Sequence, residues 1–443
     1  MKKLLFAILT VLFVFNTGTA QDAAKSFKAA KKAMKSYLLE NAQNDAKLQE
    51  VVTNLAAAAS DAEISSSFDY LRLKGDANLE ISKKLSILKQ TGLAVPDDFP
   101  KVDMPALEAF NAYKMALDKA EKKYQRKKAL AGLLNAQGEL NNQGYFAYTS
   151  GDYDAAYKNF AAIIDADKIL KENKAESTLT DDEKINDLKY TVATTAKISG
   201  HNEVALKLFE ELLAAGYEKA GIYEGLFNLL ADTDMDAAYK YLATGREKYP
   251  DETSLLFAEI NYYLKLNKLE ELIDKLKLAV EKEPDNASIY STLGNVYDQL
   301  YQKEAEAKNT EKAEEYFNKA LEQFNLALEK KPDYFDAIYS IGALYYNKAA
   351  AITVEMNEIT GWDKASIAKS KELKAKADEE FAKALPFFQK AEMINPNDAN
   401  TLIALKEIAA RNNNFELSNE FKARLEKVQA GGKNETSYFA EKN

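Results

Sequence analysis

The sequence predicts an all-α protein, a solenoid of antiparallel helix pairs, and three observations support this class. Only 17 glycines and 8 prolines occur in 443 residues, of which 47% are hydrophobic, as is typical of helical proteins. Two prolines at positions 250 and 284 are separated by 34 residues, enough for two short helices and their turns. A skeleton of small and apolar residues also occurs twice within Asn286–Pro396, first as Tyr290, Leu293, Gly294, Tyr297, Ala320, Phe324, Ala327 and Pro332, and then as Ile338, Ile341, Gly342, Tyr345, Ala384, Phe388, Ala391 and Pro396.

This skeleton resembles the tetratricopeptide repeat, which consists of two antiparallel helices in ~34 residues. Glycine and alanine stand where the paired helices approach most closely, aromatic rings fill the space between repeats, and the final proline stops the second helix. The resemblance covers roughly residues 138–430 and implies a right-handed superhelical solenoid. The repeat pattern also resembles that of exported repeat proteins of Gram-negative bacteria. Such a skeleton indicates a scaffold without indicating its partner.

The first twenty residues have the pattern of a secretory signal peptide. Two lysines at positions 2 and 3 precede the apolar run Leu4–Phe15, and Gly18-x-Ala20 follows as a cleavage pattern. The apolar run is shorter than the ~20 residues that span a bilayer. We therefore expect cleavage before Gln21, no transmembrane span in the mature chain, and a periplasmic or secreted protein. The chain has no cysteine for a lipoprotein anchor, and an uncleaved amphipathic start is the alternative.

Three regions are expected after the signal peptide. Residues 21–137 should form an N-terminal helical region with a degenerate repeat, in which Leu71 and Gly75 belong to the first helix and Tyr113 to the second. A proline-rich loop, Gly92–Pro105, separates these helices. Residues 138–430 should form the solenoid. Residues 431–443, which begin with two glycines and carry polar residues, are expected to be a disordered tail.

The proline spacing predicts elongated helices in the later repeats. The spacing grows from 34 to 48 and then to 64 residues, so the two late repeats exceed the standard length by 14 and 30 residues. An excess of 14 adds seven residues, close to two turns, to each helix. The excess of 30 predicts a long hairpin of Phe335–Glu358 and Asp363–Ile394, in which Gly361 ends one helix and Asp363 caps the next.

Trp362, the only tryptophan, would then lie at the tip of this hairpin. An exposed tryptophan at a loop tip is costly in water and typical of interface hot spots. We expect Trp362 to be partly exposed and to contact either another protein or a second copy of this chain. The alternative is that its ring folds back onto Ile359 or Ile367.

Composition and motifs argue against nucleic-acid binding and catalysis. Removing the two signal-peptide lysines takes the net charge from −10 to −12, and phosphate binding needs the opposite sign. His201 is the only histidine and follows Gly200 in a turn, so we expect a structural role. The acidic run at Asp232 lacks the glycine and glutamate of a calcium loop. No phosphate loop or nucleophile motif occurs. We expect no enzyme, cofactor or metal site.

The first helices of the pairs supply a candidate groove on the concave face. The resemblance places groove residues at set positions of each first helix, and this chain has aromatic and amide side chains there. Such residues suit an extended peptide, because rings give contact area at low entropy cost and amides pair with backbone. The alternative is that several rings pack against the next repeat. The candidates are Asn141, Tyr145, Tyr148, Tyr190, Tyr223, Phe227, Phe257, Asn261, Asn295, Tyr339, Tyr346 and Asn347.

The sequence thus favours an exported protein–protein interaction scaffold that binds a partner protein or peptide on its concave face and supports an envelope assembly. The lysine and asparagine set that grips a terminal carboxylate in chaperone-adaptor repeats is not assembled here. A purely structural subunit of an envelope complex is the alternative from another class, and an enzyme is the third.

Overall fold

A computed structural model describes residues 2–40 and 44–440, with side-chain surroundings given from residue 21 onwards. The chain divides into two compact units, Met1–Tyr241 (unit 1) and Leu242–Asn443 (unit 2). Among the described residues no strand occurs, which confirms the all-α class. None of the helices in this part of the chain combines the length and apolar character needed to cross a membrane.

Unit 1 is a series of helices in which neighbours along the chain pack together. The predicted loop Gly92–Pro105 does separate two helices, and the turn at Gly151 has the positive φ of 82° that favours glycine. The helices are α1 (Lys2–Leu39), α2 (Asp45–Ala58), α3 (Ala62–Ser65), α4 (Phe68–Thr91), α5 (Pro105–Asp118), α6 (Lys123–Thr149), α7 (Tyr153–Glu172), α8 (Asp182–Ile198), α9 (Asn202–Ala214) and α10 (Ala220–Leu230). The next helix, α11 (Met235–Lys248), contains the division between the units.

Unit 2 contains four consecutive helix pairs, and within each pair the two helices pack together. Because the connections are short, the helices of a pair run antiparallel. The helices are α12 (Thr253–Lys265), α13 (Leu269–Lys282), α14 (Ala287–Glu306), α15 (Thr310–Lys330), α16 (Phe335–Asn357), α17 (Lys364–Ile394), α18 (Ala399–Arg411) and α19 (Phe415–Gln429).

Helix lengths in unit 2 confirm the arithmetic of the proline spacing. The α12/α13 pair has 13 and 14 residues, whereas the α14/α15 pair has 20 and 21, seven more in each helix. The α16/α17 hairpin has 23 and 31 residues, so its excess is shared unequally. Asp363 caps α17 as predicted, since its Oδ1 accepts hydrogen bonds from the backbone N–H groups of Ala365 and Ser366 at 2.9 and 3.1 Å. Gly361 does not end α16, which stops at Asn357 with Glu358 as its C-cap.

Contacts between glycine and an aromatic ring show that the helix pairs have the tetratricopeptide architecture. A Cβ atom at Gly294 of α14 would lie 2.6 Å from the ring of Phe324 on α15, and one at Gly144 would lie 2.6 Å from Phe160. Only glycine allows such close approach. The degenerate N-terminal repeat has the same contact, 2.7 Å between a Cβ at Gly75 and the ring of Tyr113. The residues predicted to join the two helices of a repeat therefore do so.

The predicted boundary between residues 137 and 138 does not coincide with a break between helices. It falls within α6, a single helix of 27 residues. Leu133 and Ala136 before the boundary belong to the same buried core as Leu140 after it. The degenerate repeat and the first regular repeat share this core, so unit 1 continues without interruption through the predicted division.

Residues 431–440 are not the disordered tail that their glycines predicted. Asn434 and Ser437 are 8% and 6% exposed, and the rings of Tyr438 and Phe439 pack on α19. Two aromatic residues and a buried hydroxyl compensate for the entropy of ordering this short segment. Residues 441–443 lie outside the described residues. At the other end, the predicted signal segment lies within α1, and its cleavage stays a prediction.

Candidate partner-binding surface

The first helix of the α6/α7 pair presents three of the predicted groove residues to solvent. Asn141 is exposed, and Tyr145 and Tyr148 are 59% and 43% exposed. The Tyr148 ring meets the ring of Tyr153 edge to face, with centroids 5.5 Å apart. The three predicted residues on α6 are therefore accessible, and Tyr148 is held by a neighbouring ring.

A cleft adjoins Asn141 between α6, α8 and the connection that precedes α8. Its lining includes Gln137, whose Oε1 accepts hydrogen bonds from the backbone N–H and the hydroxyl of Thr178 at 3.0 and 3.1 Å. Asp187 on the opposite wall accepts hydrogen bonds from Tyr217 and a neighbouring lysine, which lower the pKa of this carboxyl. Gln137 was not among the groove residues predicted from the sequence.

Tyr190 of α8 is a packing residue on one side. It is half-buried, and its ring centroid lies 6.2 Å from that of Phe209. Its hydroxyl would be 2.2 Å from a Cβ at Gly221, so the ring fills the space that this glycine leaves. Lys219 Nζ lies 5.1 Å from the ring centroid. These contacts favour packing of the Tyr190 ring between successive helices over exposure of the ring in an open groove.

Tyr223 and Phe227 are not groove residues. They are 2% and 1% exposed, as deeply buried as the core residues Ile222 and Leu226 beside them. The helix α10 that carries them has 11 residues, of which Asn228 alone is exposed. Most residues of α10 are apolar, and positions 223 and 227 lie on its buried side, so they do not face solvent.

In unit 2 the exposed positions of the first helices carry amides. Asn261 of α12, Asn295 of α14 and Asn347 of α16 are exposed, and we call these three residues the amide row. Asn295 Oδ1 accepts a hydrogen bond from the Ser340 hydroxyl of α16 at 3.2 Å, so the faces of these neighbouring first helices adjoin. Phe257, also predicted for the groove, is half-buried and packs against the core of unit 2.

Tyr339 and Tyr346 connect α16 to its neighbours instead of standing free. Both rings meet Phe388 of α17, with centroids 5.9 and 6.1 Å apart. The Tyr346 hydroxyl donates a hydrogen bond to Glu407 of α18, and the same ring packs against Phe381. Burial raises the pKa of both phenols. Each ring is partly accessible, but its main contacts are structural.

The tip of the α16/α17 hairpin carries the most exposed large hydrophobic side chain among the described residues. Trp362 is 91% exposed, which confirms its predicted exposure and excludes a ring folded onto Ile359 or Ile367. Val354 and Ile367 are 60% and 45% exposed on the two helices near the tip. We call Val354, Trp362 and Ile367 the hairpin tip. Contact of Trp362 with a partner stays a prediction.

The only histidine has the structural role predicted for it. His201 Nε2 lies 2.8 Å from Asp154 Oδ1, and its ring centroid lies 4.5 Å from that of Tyr157. These contacts join the start of α9 to α7. Within residues 2–40 and 44–440, no group of three or more acidic or histidine side chains is arranged to hold a metal ion.

No protein-family model and no curated protein matches the chain. Solved structures match it locally. MamA is 18% identical, with 46% of this chain and 92% of MamA covered and a TM-score of 0.33. YrrB, described as a TPR protein with an unusual peptide-binding site, is 17% identical over 52% of this chain and 98% of its own, with a TM-score of 0.32. A TPR repeats protein (BF2334) from Bacteroides fragilis NCTC 9343 is 20% identical over 62% and 98%, with a TM-score of 0.24.

YrrB and BF2334 are described as TPR proteins, and at such identities and TM-scores none of the three structures carries an argument about this chain. The class of protein is defined by the chain's own contacts between paired helices. Gly294 with Phe324, and Gly342 with Phe388, stand at the positions that define the tetratricopeptide repeat. The chain is therefore an array of tetratricopeptide-type helix pairs.

Proposed function

We propose that this chain is an exported scaffold that binds an extended segment of a partner protein on the amide row of unit 2. The observation that carries the proposal is the repetition of an exposed amide at one position of two successive repeats, to which Asn347 adds a third exposed amide at a different position of the next first helix. Asn261 follows Leu256 by five residues, and Asn295 follows Tyr290 by the same interval. Both amides are exposed on first helices, whereas Leu256 and Tyr290 are buried.

An amide suits this role because it has both donor and acceptor groups. An extended peptide presents alternating N–H and C=O groups, so asparagines on successive helices can pair with successive peptide units. The Ser340 hydroxyl, which already donates to Asn295, leaves the two amide protons of that residue available to a carbonyl oxygen. The surface therefore supports recognition of backbone more than of particular side chains.

Photo-crosslinking from individual positions tests this surface. A photoreactive amino acid replaces Asn261, Asn295 or, as a matched control, Asn325, an exposed asparagine on the second helix α15. Purified protein is incubated with an envelope extract of the native cells and irradiated. We expect one partner to crosslink from positions 261 and 295 and not from 325. Equal crosslinking from position 325 would assign binding to another surface.

The export half of the proposal rests on the N-terminal sequence. The two lysines, the apolar run and Gly18-x-Ala20 support cleavage before Gln21 and delivery to the periplasm or beyond, where a scaffold would serve an envelope assembly. Intact-mass measurement of protein expressed with its own N-terminus in a Gram-negative host tests this step. The expected mass begins at Gln21, and recovery of only the uncleaved chain from the cytoplasm would contradict export.

A further inference from the structure

The residues that follow α19 pack against the end of unit 2. After α19, Gly431 adopts a φ of 84° and the N–H of Gly432 bonds to Lys427 O at 2.9 Å, so the chain turns back at the helix end. Residues 434–440, which we call the C-terminal strap, then run across α17, α19 and the α17–α18 connection. The strap has no regular secondary structure.

An asparagine side chain forms hydrogen bonds with the backbone at the beginning of the strap. Asn397 Oδ1 accepts the N–H of Asn434 at 2.7 Å, and Asn397 Nδ2 donates to the C=O of Asn434 at 3.2 Å. The side chain of Asn434 donates in turn to Pro396 O at 2.9 Å. Such a two-point contact with the N–H and the C=O of one residue is specific for backbone geometry. Arg424 adds a hydrogen bond to Thr436 O at 2.9 Å.

A fully buried carboxylate accepts hydrogen bonds from the end of the strap. Glu392 of α17 is 0% exposed, and its oxygens accept the Ser437 hydroxyl and the backbone N–H of Tyr438, the latter at 2.8 Å. The N–H of Phe439 lies 3.5 Å from the second oxygen. Arg424 supplies the countercharge at 3.4 Å. Because a buried charge needs hydrogen bonds as well as a countercharge, the strap's donors complete this site.

Two aromatic rings anchor the same end. The centroids of Tyr438 and Phe439 lie 5.3 and 5.7 Å from that of Phe421, which is 0% exposed. Without the strap, Phe421 and Glu392 would both meet solvent. A carboxylate that binds a hydroxyl and backbone N–H groups, a ring that packs against two aromatic side chains and an amide that binds both backbone groups of one residue together form a recognition set for an extended segment.

From these contacts we infer that the end of unit 2 is a binding site for an extended segment with the pattern Asn-x-x-Ser-Tyr-Phe, and that the segment it takes in trans is the C-terminal strap of a second copy of this chain. All strap contacts that carry the argument are made with unit 2 residues outside the strap, so a second copy offers the same partners. Only Ala430, Gly431, Gly432 and Lys433 join α19 to the strap, and short hinges of this kind favour exchange of identical segments. This inference goes beyond the amide row and does not depend on it.

A peptide experiment tests the site. A chain ending at Lys433 is titrated into a fluorescent peptide with the sequence of residues 433–443, and binding is followed by anisotropy. We expect saturable binding, and binding at least ~10-fold weaker to the full-length chain, whose own strap competes. Glu392→Gln in the shortened chain should weaken binding by ~10-fold or more, since charge-assisted hydrogen bonds are lost. Glu416→Gln, an exposed residue on α19, is the matched control and should bind normally.

Several outcomes would overturn the site. These are no binding by a shortened chain that keeps its helical circular dichroism and its other helix pairs, equal binding by the full-length chain, or indifference to Glu392→Gln. If the shortened chain unfolds, a full-length chain carrying Ser437→Ala, Tyr438→Ala and Phe439→Ala replaces it. That variant keeps the chain length, and its displaced strap leaves the site open to the same peptide.

A linker experiment tests the occupant. Deleting Gly431 and Gly432 makes the connection too short for the strap to turn back onto its own unit. We expect the deletion variant to sediment as a concentration-dependent oligomer, and to return to a monomer when Glu392→Gln or excess strap peptide is added. A deletion variant that stays monomeric at all concentrations would overturn exchange between copies.

Discussion

Gly294 lies directly against the ring of Phe324, so that a methyl group at position 294 would stand 2.6 Å from Cδ1 and Cε1 of that ring. Phe324 is 0% exposed and has no room to move away. The corresponding glycine of the next repeat, Gly342, is less crowded, because its methyl group would be 3.2 Å from Phe388. The two contacts have the same place in the repeat but differ in how well they tolerate an added methyl group.

We therefore expect Gly294→Ala to lower the free energy of unfolding by ~1–3 kcal/mol through overpacking. Gly342→Ala should cost less, because a shift of a few tenths of an ångström accommodates the methyl group. Gly138→Ala is the control, since nothing lies within 4 Å of its added Cβ within α6. That variant should gain ~0.5–1 kcal/mol from helix propensity. Thermal unfolding followed by circular dichroism gives the order, and equal midpoints for positions 294 and 342 would contradict it.

The buried rings of α10 give a second prediction. Tyr223→Ala and Phe227→Ala should each lower the free energy of unfolding by ~3–5 kcal/mol, as truncation of a buried aromatic ring does. Tyr145→Ala and Tyr148→Ala, whose rings are exposed, should change it by less than ~0.5 kcal/mol. Urea unfolding measures all four. A large loss at position 145 or a negligible loss at position 227 would contradict the assignment of surface and core.

Most of the fold could be predicted from the sequence because the same residue pattern occurs in successive repeats. The spacing of Gly294 and Phe324 in the repeat predicted their contact. The spacing of the prolines that stop second helices predicted the lengths of α14 and α15. Asp363 was identifiable as a cap because a short acidic side chain before an apolar-periodic segment satisfies free N–H groups. Local chemistry decides each of these features, and tertiary contacts do not override it.

The surface was less predictable, because a position in a repeat does not specify what covers it. Phe227 and Asn261 hold the same place in their first helices, and one is buried while the other is exposed. The C-terminal strap was missed for a related reason. Gly431 and Gly432 suggested disorder, and Glu392 resembled the solvated acids around it, although Tyr438 and Phe439 were a signal for packing.

A third prediction concerns the pH dependence of stability at Asp298 of α14. Its Oδ1 is buried without a hydrogen-bond partner, while Oδ2 accepts from Gln302 at 2.9 Å. Burial raises the pKa of this carboxyl above its ordinary value of 3.8. Above that value the unfolded chain has lost its proton and the folded chain keeps it, so stability falls as pH rises towards the folded pKa.

Asp298→Asn should therefore be more stable than the parent chain at neutral pH, and the difference should vanish below the ordinary pKa of the carboxyl. Asp363 gives the opposite sign, because hydrogen bonds from Ser366 and the helix N–H groups lower its pKa. Its contribution is present at neutral pH and is lost as pH falls below 3.8, and Asp363→Asn should remove that dependence. Urea unfolding across this pH range measures both. Parallel pH profiles for the parent and Asp298→Asn would contradict the assignment.

The last prediction concerns Trp362 at the hairpin tip. With 91% of its surface exposed, the single tryptophan should emit like hydrated indole and be quenched by acrylamide almost as efficiently as a free tryptophan derivative. Stacking of repeats gives no reason to expose an indole at the tip of the hairpin. We expect a partner, either another protein or a second copy, to cover this ring together with Val354 and Ile367.

Binding should then shift the emission to shorter wavelength and reduce quenching, and Trp362→Ala should weaken capture by ~2 kcal/mol or more, as at interface hot spots. Tyr124→Ala, which removes a ring 54% exposed on α6, serves as the control and should leave capture unchanged. If a second copy is the partner, dilution of the isolated protein reverses the spectral shift. An emission maximum typical of buried indole at high dilution, together with normal capture by Trp362→Ala, would remove the hairpin tip from the interaction surface.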